Sequence, residues 1–134
     1  MSLADPLRQL LYVSQLAPQC DATVVPRIVQ TARAHNAACG ITGLLVFDGL
    51  RFCQLLEGPA SQVGPLMARI QQDVRHVDVQ TLHTATPAAR HFDAFSMGYA
   101  AFDDGEPLHA LAQHRGEAAL RALLALLPRL DMTP

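Results

Sequence analysis

Two apolar segments joined through Asp48-Gly49 constrain the fold of this 134-residue chain more than any other feature. The segments span residues 40–47 and 51–58. This pattern predicts a β-hairpin, because glycine adopts the positive φ that a tight turn requires and the twist of such a turn matches that of the strands. We therefore expect two adjacent antiparallel strands near the middle of the chain.

Gln54 interrupts the apolar face of the second predicted strand. Side chains alternate between the two faces of a strand, so Gln54 shares its face with Phe52 and Leu56. A buried amide carries one acceptor and two donors, and leaving them unpaired costs free energy. We therefore expect Gln54 to have a polar partner on that face.

Composition excludes several classes of protein. Half of the residues are hydrophobic, 16% are charged and the formal net charge is −2. The chain lacks the basic field of a nucleic-acid binder, so nucleic acid is not an expected partner. No signal-peptide pattern opens the chain and no apolar stretch reaches membrane-spanning length, so we expect no membrane association.

The three cysteines give no sign of a disulfide framework or of a metal site. Cys20, Cys39 and Cys53 are odd in number, isolated and without CxxC spacing. His35 has no carboxylate or cysteine at the spacing of a metal ligand. These observations predict no metal and indicate a protein of the reducing cytoplasm.

The order of predicted elements is βαββαββ within the first hundred residues. Strands are expected over residues 7–14, 77–85 and 94–101 besides the hairpin, and helices over 24–38 and 61–73. Asp21 or Thr23 can cap the first helix. This order predicts an α+β, ferredoxin-like fold with a five-stranded mixed sheet and two helices on one face.

The C-terminal part of the chain is predicted to be helical. A polar, turn-prone link over residues 103–107 precedes a leucine-rich segment, 108–130, that favours one or two helices. We expect these helices to cover the other face of the sheet. Residues 1–102 would then form the main domain and 103–134 an extension within the same compact unit.

A slot with polar residues is predicted between the two helices and the sheet. At 100° per residue, His35 and Asn36 end the apolar face of the first helix. The strand alternation permits one side chain from each of three strands to share the helix-covered face. A flat slot of this kind suits a planar heterocycle with a polar edge. Its lining would comprise Tyr12, Ile28, Asn36, Gln54 and Met97.

Six short motifs follow one another between residues 7 and 102. They are residues 10–14; Ala32-Arg33 with Asn36 and 40–45; Phe52 with Gln54 and 56–58; Asp73 with Arg75-His76; Arg90 with Phe92; and 95–99. In this order and at this spacing, they resemble the BLUF domain, a blue-light receptor fold that uses a flavin.

The resemblance implies a non-covalently bound flavin with its ring between the two helices. The flavin is FAD in most of the family, while FMN and riboflavin stay possible. Tyr12 would donate an electron and then a proton to the excited flavin. Gln54 would rearrange its amide and form a new hydrogen bond to the flavin C4 carbonyl, which shifts the absorption modestly to the red. Met97 would lie beside this switch.

Further residues acquire roles from the same resemblance. Asn36 would hold the carbonyl and imide edge of the ring. Arg75, and with it His76, would face the other carbonyl and the ribityl side. The remaining candidates are Asp73 on the polar rim, Ile28 against the ring, His35 as an outer polar group, and Ser14, Phe95 and Ser96 as neighbours.

One residue departs from the family pattern, and no output domain is expected. Many relatives carry Trp where this chain has Phe95, so a signalling step that moves Trp in or out of the pocket is not expected here. We expect no cyclase, phosphodiesterase or DNA-binding domain after the sensor. The resemblance is therefore to short stand-alone members that signal by protein contact. Residues 108–130 are the expected transmitter to an unidentified downstream protein, and a homo-oligomer is expected.

Simpler interpretations remain open. Arg75 and His76 would also satisfy the end of a helix, and Asn36 would also serve as a cap. The chain could be a flavin-free, ferredoxin-like module that binds a protein or a small molecule. It could also be an enzyme with Cys53 or Cys39 as nucleophile and His35 or His76 as base, although no spacing supports this.

Overall fold

The computed structural model describes residues 5–100 and 107–133, in which one mixed sheet has helices on both faces. The predicted element order is confirmed. The strands are β1 (Leu7–Leu16), β2 (Thr42–Phe47), β3 (Arg51–Pro59), β4 (His76–Ala85), β5 (Phe95–Tyr99) and β6 (Asp131–Thr133). The helices are α1 (Val25–Ala38), α2 (Ala60–Gln72), α3 (Pro107–Leu111) and α4 (Glu117–Leu126), with 3-10 turns at Ala22–Val24 and Leu127–Arg129.

The sheet has the strand order β4-β1-β3-β2-β5-β6. Only β2 and β5 pair in parallel among these strands, and the other described pairs are antiparallel. The described residues thus form a six-stranded sheet, one strand more than the five predicted. The sixth strand, Asp131–Thr133, is three residues long and pairs with the free edge of β5. So short a segment has no periodicity, and its pairing depends on tertiary contact.

The central hairpin forms as its sequence predicts. The Asp48 carboxylate accepts hydrogen bonds from the backbone N–H groups of Leu50 (3.0 Å) and Arg51 (2.7 Å). Gly49 has a φ of +100°, which glycine adopts without steric cost. The turn brings Phe47 opposite Phe52 and aligns the two strands.

The face under α1 and α2 carries two separate apolar clusters. One cluster includes Val63 and Met67 of α2, and the other packs against Val25 of α1. Tyr12 belongs to the first cluster and Phe52 to the second. The gap between the helices therefore lies above the centre of the sheet, where β1, β3 and β2 are neighbours.

The C-terminal helices cover the opposite face of the sheet, as predicted. Leu108 and Leu111 of α3 and Leu120 and Leu123 of α4 are buried in one cluster with inward side chains of the sheet. The sheet residues in this cluster are Leu11, Val13, Leu44, Val46, Cys53, Leu55 and Leu82. The predicted boundary at 102–103 and the link before Pro107 lie outside the described residues. No described helix is long and apolar enough to cross a membrane.

Candidate functional site

A cavity of about 170 Å³ lies between α1, α2 and the sheet. This volume is more than ten times what one water molecule requires. Four neighbouring strands of the sheet contribute side chains, two of them from β3, and both helices contribute apolar and polar groups. Among the lining residues are Tyr12, Ile28, Asn36, Leu45, Phe52, Gln54, Ile70, Asp73, Arg75 and His76.

Tyr12 and Gln54 form a buried hydrogen-bonded pair at this cavity. They are direct register partners on β1 and β3, so both side chains lie on the same face. The Tyr12 hydroxyl donates to Gln54 Oε1 over 2.6 Å. Gln54 thus has the polar partner predicted for it. Burial, with smaller contributions from Cys53 and Asp73, raises the pKa of Tyr12 well above its usual value, so the proton stays on the phenol.

Asn36 presents an unpaired donor at the same cavity. Its backbone carbonyl accepts from the N–H groups of Cys39 and Ile41, which ends α1. The side chain is only 1% exposed, and Nδ2 has no hydrogen-bond partner among the described residues. A buried donor without an acceptor is costly, so this position suits a ligand that brings an acceptor such as a ring carbonyl. The unpaired Asn36 amide therefore fits a flavin ring carbonyl in this cavity, and this observation does not depend on the sequence resemblance.

Asp73 and Arg75 form an ion pair that also lines the cavity. Arg75 Nη2 donates to Asp73 Oδ2 over 2.6 Å, and Arg75 Nε donates to Asp73 Oδ1 over 2.9 Å. These hydrogen bonds lower the pKa of Asp73 below its usual value. The two-point contact fixes the plane of the guanidinium, since both ends of the fork are held.

His76 connects the cavity, β1 and the end of α2. Its Nε2 lies 2.5 Å from the Ile70 carbonyl, which can only accept, so Nε2 carries a proton. Nδ1 lies 2.9 Å from the Ser14 hydroxyl, which then donates to it in the neutral imidazole. The ring meets Tyr12 edge-on with centroids 6.3 Å apart. His76 thus binds the end of α2 and also lines the cavity. Ser14 reaches the cavity only through its hydrogen bond to His76.

His35 lies beside a cation that the sequence did not indicate. Its ring lines the cavity, and Arg69 Nη1 donates to His35 Nδ1 over 3.3 Å. Cys39 Sγ lies 3.7 Å from His35 Nε2. Other lining residues missed from the sequence are Thr31, Ala32, Leu45, Phe52, Leu66, Arg69 and Ile70. Those on α1 and α2 lie three, four or seven residues from Ile28 or Asp73, so helical periodicity would have predicted them on the same helix faces.

The candidate residues of β5 are not among the described residues that line the cavity. Met97 is paired with Leu45, which is itself paired with Gln54, so a full strand separates Met97 from the Tyr12–Gln54 pair. Met97 is buried in the cluster under α1, against which Phe95 packs. Ser96 is the neighbour of Met97 and therefore points to the opposite face. The cavity-lining residues do not include these three among the described part of the chain.

Of the two cysteines considered as nucleophiles, Cys53 is placed unlike that of a thiol enzyme, whereas Cys39 has its Sγ 3.7 Å from His35 Nε2. Cys53 is fully buried on the face under α3 and α4, opposite to the cavity. Burial raises the pKa of the Cys53 thiol far above its usual value, so the reactive thiolate is disfavoured. Within residues 5–100 and 107–133, no group of three or more His, Cys, Asp or Glu is arranged to hold a metal ion.

The fold and the cavity define a class: a small α+β ligand-binding domain whose buried tyrosine–glutamine pair lies beside a space for a planar ring. The family model of BLUF, "Sensors of blue-light using FAD", matches residues 7–98. Since the match covers more than half of the chain, the chain belongs to this family of flavin-using blue-light sensors.

Comparison with known proteins agrees with this assignment. The chain is 38% identical over 88 residues to the photoactivated adenylate cyclase subunit beta of Euglena longa, a match that covers 66% of this chain and 10% of that protein. The chain thus spans about a tenth of that relative's length. It also superimposes on BlrB, described as a BLUF protein in the dark state, with a TM-score of 0.68 and 31% identity over 83% of this chain and 82% of that one.

A third match extends over nearly the whole chain. The photo-activated state of BlsA superimposes with a TM-score of 0.79 and 26% identity. The superposition covers 96% of this chain and 99% of that one. The similarity to BlsA therefore includes the segment that follows the family match.

Proposed function

We propose that this chain senses blue light through a flavin held between α1 and α2, with Tyr12 and Gln54 as the photochemical switch. The observation that supports this most strongly is the buried 2.6 Å hydrogen bond between Tyr12 and Gln54 at the cavity, next to the unpaired Asn36 amide. A bound flavin supplies blue-light absorption and, once excited, an oxidising group.

Tyr12 is the proposed donor of the electron and the proton. The chain has no Trp and only one other Tyr, Tyr99, which is on β5 and does not line the cavity. The Tyr12 hydroxyl already donates to Gln54 Oε1, so the proton that it releases has an acceptor 2.6 Å away. This arrangement supports Tyr12 over Tyr99 as the redox partner.

Gln54 is the proposed carrier of the signal at the site. An amide exchanges donor for acceptor by turning over, and Gln54 is the one amide side chain of β3. Turning over would direct Nε2 at Tyr12 and place Oε1 where the amide nitrogen had been. The new hydrogen bonding accounts for a small red shift of the flavin absorption.

Asn36, Arg75 and His76 are proposed to hold the ring. Asn36 Nδ2 would donate to a ring carbonyl, and Arg75, oriented by Asp73, would face a second one. Met97, Phe95 and Ser96 would act only as neighbours, through the strand pairing of β5 with β2. We propose FAD as the flavin, as in most of the family. Arg69 at the cavity donates to His35 Nδ1 and carries a charge suited to a phosphate, which FAD and FMN have and riboflavin lacks.

The proposed output is a protein contact made by the C-terminal helices, without catalysis by this chain. Residues 1–102 would be the sensor and 103–134 its extension, packed against the sheet through α3 and α4. The downstream protein and a homo-oligomeric state belong to this proposal. A cytoplasmic location is supported by the three cysteines, which are all free thiols.

The test is the visible spectrum of the purified protein in the dark, after a blue flash and during recovery. We expect a flavin spectrum that shifts to the red without bleaching and then relaxes. A bound flavin without any shift would contradict the switch and leave only a flavin carrier. A protein that binds no added FAD would contradict the whole proposal and favour the flavin-free interaction module.

A further inference from the structure

A buried polar network lies on the face of the sheet opposite to the cavity. Gln9 of β1 and Glu57 of β3 are register partners, and both are buried, Glu57 completely. They lie on the same two strands as Tyr12 and Gln54. The two register pairs are separated by three residues along each strand. His83 of β4 is also buried, and His91 approaches from the segment between β4 and β5.

The Glu57 carboxylate attaches the segment that carries His91 to the sheet. Its Oε1 accepts from the backbone N–H groups of His91 (2.8 Å) and Phe92 (3.0 Å). Its Oε2 accepts from Gln9 Nε2 over 2.9 Å. These three donors compensate a carboxylate that is withdrawn from water. Glu57 is thus the anchor of residues 86–94.

Three atoms of this network stand at mutual hydrogen-bond distance. His91 Nδ1 lies 3.0 Å from Gln9 Nε2 and 3.0 Å from Glu57 Oε2, and the latter two are 2.9 Å apart. Nδ1 accepts from the Gln9 amide only when it carries no proton, and donates to the carboxylate only when it carries one. The two hydrogen bonds of His91 therefore exclude each other.

We propose that Gln9, Glu57 and His91 form a latch that responds to pH and changes how residues 86–94 are attached to the sheet. When His91 is neutral with its proton on Nε2, the Gln9 amide is fully paired, since its two N–H groups bind Glu57 and His91 while Oε1 accepts from His83 Nε2 over 2.8 Å. Protonated His91 instead donates to Glu57. One Gln9 N–H then loses its acceptor, so Gln9 moves and its contact with His83 changes.

The other charged groups near His91 do not reproduce this behaviour. His83 Nε2 donates to Gln9 Oε1 whether or not His83 is protonated at Nδ1. Arg90 donates to the backbone carbonyls of Gly40 (2.9 Å) and Glu57 (3.0 Å) and remains charged at any relevant pH.

The test is a pH titration of the whole protein in the dark, followed by nuclear magnetic resonance of the His91 ring and the Gln9 side-chain amide. We expect both sets of signals to move with one common midpoint. In Glu57→Gln we expect the Gln9 signals to move less over the titration, because the carboxylate that accepts the Nδ1 proton of His91 is gone. His114→Gln, which removes an exposed imidazole outside the network, is the matched control and should leave the Gln9 titration unchanged.

A second variant keeps the test decisive if Glu57→Gln does not fold. His91→Asn alters a side chain at the surface and should abolish the pH dependence of the Gln9 amide signals. Gln9 signals that ignore the titration of His91 in the wild-type protein would overturn the latch. So would Gln9 signals that titrate unchanged in His91→Asn. Because the readout needs no light, neither result bears on the proposed photochemistry.

Discussion

Tyr12 and Gln54 lie on the helix-covered face of the sheet, and the Tyr12 hydroxyl and Gln54 Oε1 are paired with each other through one hydrogen bond. Asn36 is equally buried but has a donor without a partner. A buried polar group costs free energy unless it is hydrogen-bonded. The protein itself pairs the Tyr12 hydroxyl with Gln54, whereas the Asn36 amide needs an acceptor from a ligand. Two predictions follow from this contrast.

Tyr12→Phe and Gln54→Leu should each retain the flavin and abolish the red-shifted state. Phenylalanine has no hydroxyl to donate, and leucine has no amide to turn over. Tyr99→Phe, which changes the tyrosine on β5, is the matched control and should keep the full shift. The measurement is the flash-induced difference spectrum. A normal shift in either of the first two variants would remove the assigned role of that residue.

Asn36→Leu should weaken the binding of flavin by about tenfold, because one buried hydrogen bond to the ligand is worth about 1.4 kcal/mol or somewhat less. Gln71→Leu removes an exposed amide of α2 and should leave the affinity unchanged. Fluorescence titration of the flavin-free protein with FAD measures both. Equal affinities in Asn36→Leu and wild type would show that Asn36 does not contact the ring.

At the scale of elements, the cavity depends on close approach of strands and on the turn from α2 into β4. Gly43 of β2 has a φ of +147°, and a Cβ there would lie 1.8 Å from the Leu55 carbonyl oxygen. Asp73 and Arg75 join the end of α2 to the start of β4 by their two-point contact. Each feature leads to a prediction about stability.

Gly43→Ala should destabilise the fold by about 2 kcal/mol or more, because the new methyl group meets backbone that cannot move aside and the φ is strained for alanine. Gly64→Ala is the control within α2, where nothing lies within 4 Å of a built Cβ. That variant should stabilise the protein by roughly 0.5–1 kcal/mol. Urea unfolding measures both. A Gly43→Ala protein as stable as wild type would contradict the close strand contact.

Asp73→Asn should reduce the dependence of stability on acid. The Arg75 hydrogen bonds hold the pKa of Asp73 below its ordinary value of 3.8. The ionised pair therefore stabilises the fold above that value, and this stabilisation is lost as the pH falls through the lowered pKa. The effect should be below about 1 kcal/mol because the side chains of Arg75 and Asp73 are 33% and 29% exposed, so that solvent partly screens the pair. The measurement is the free energy of unfolding of the wild-type protein and of Asp73→Asn at pH 7 and at pH 3. We expect the difference between the two proteins to be smaller at pH 3. The same difference at both pH values would contradict a lowered pKa of Asp73.

At the scale of the whole molecule, the sheet separates the cavity from the cluster that α3 and α4 cover. A change at Tyr12 and Gln54 reaches those helices only through β1 and β3, whose alternate side chains belong to the opposite cluster. Leu11 and Leu55, for instance, are direct chain neighbours of Tyr12 and Gln54 and are fully buried under the C-terminal helices. A light signal therefore requires a contact that differs between the two states.

Hydrogen exchange should differ between dark and illuminated protein in residues 107–130. We expect faster exchange in that segment in the light, because altered packing of Leu11 and Leu55 would loosen α4. The Tyr12→Phe variant, illuminated in the same way, is the control and should show no difference. Identical exchange throughout the segment in the wild-type protein would exclude it as the transmitter.

The sequence by itself determined the central hairpin, the two helices, and the faces of their elements on which Tyr12, Gln54 and Asn36 lie. These depend on turn chemistry and on periodicity within about ten residues, which local sequence encodes. Tertiary structure alone decided the sixth strand, the distance of Met97 from the switch, and the contacts of Glu57. The reason is that these depend on pairings between segments far apart in the chain. Met97 is separated from Gln54 because Leu45 pairs with both of them. Glu57 is buried where the backbone N–H groups of His91 and Phe92 donate to its carboxylate.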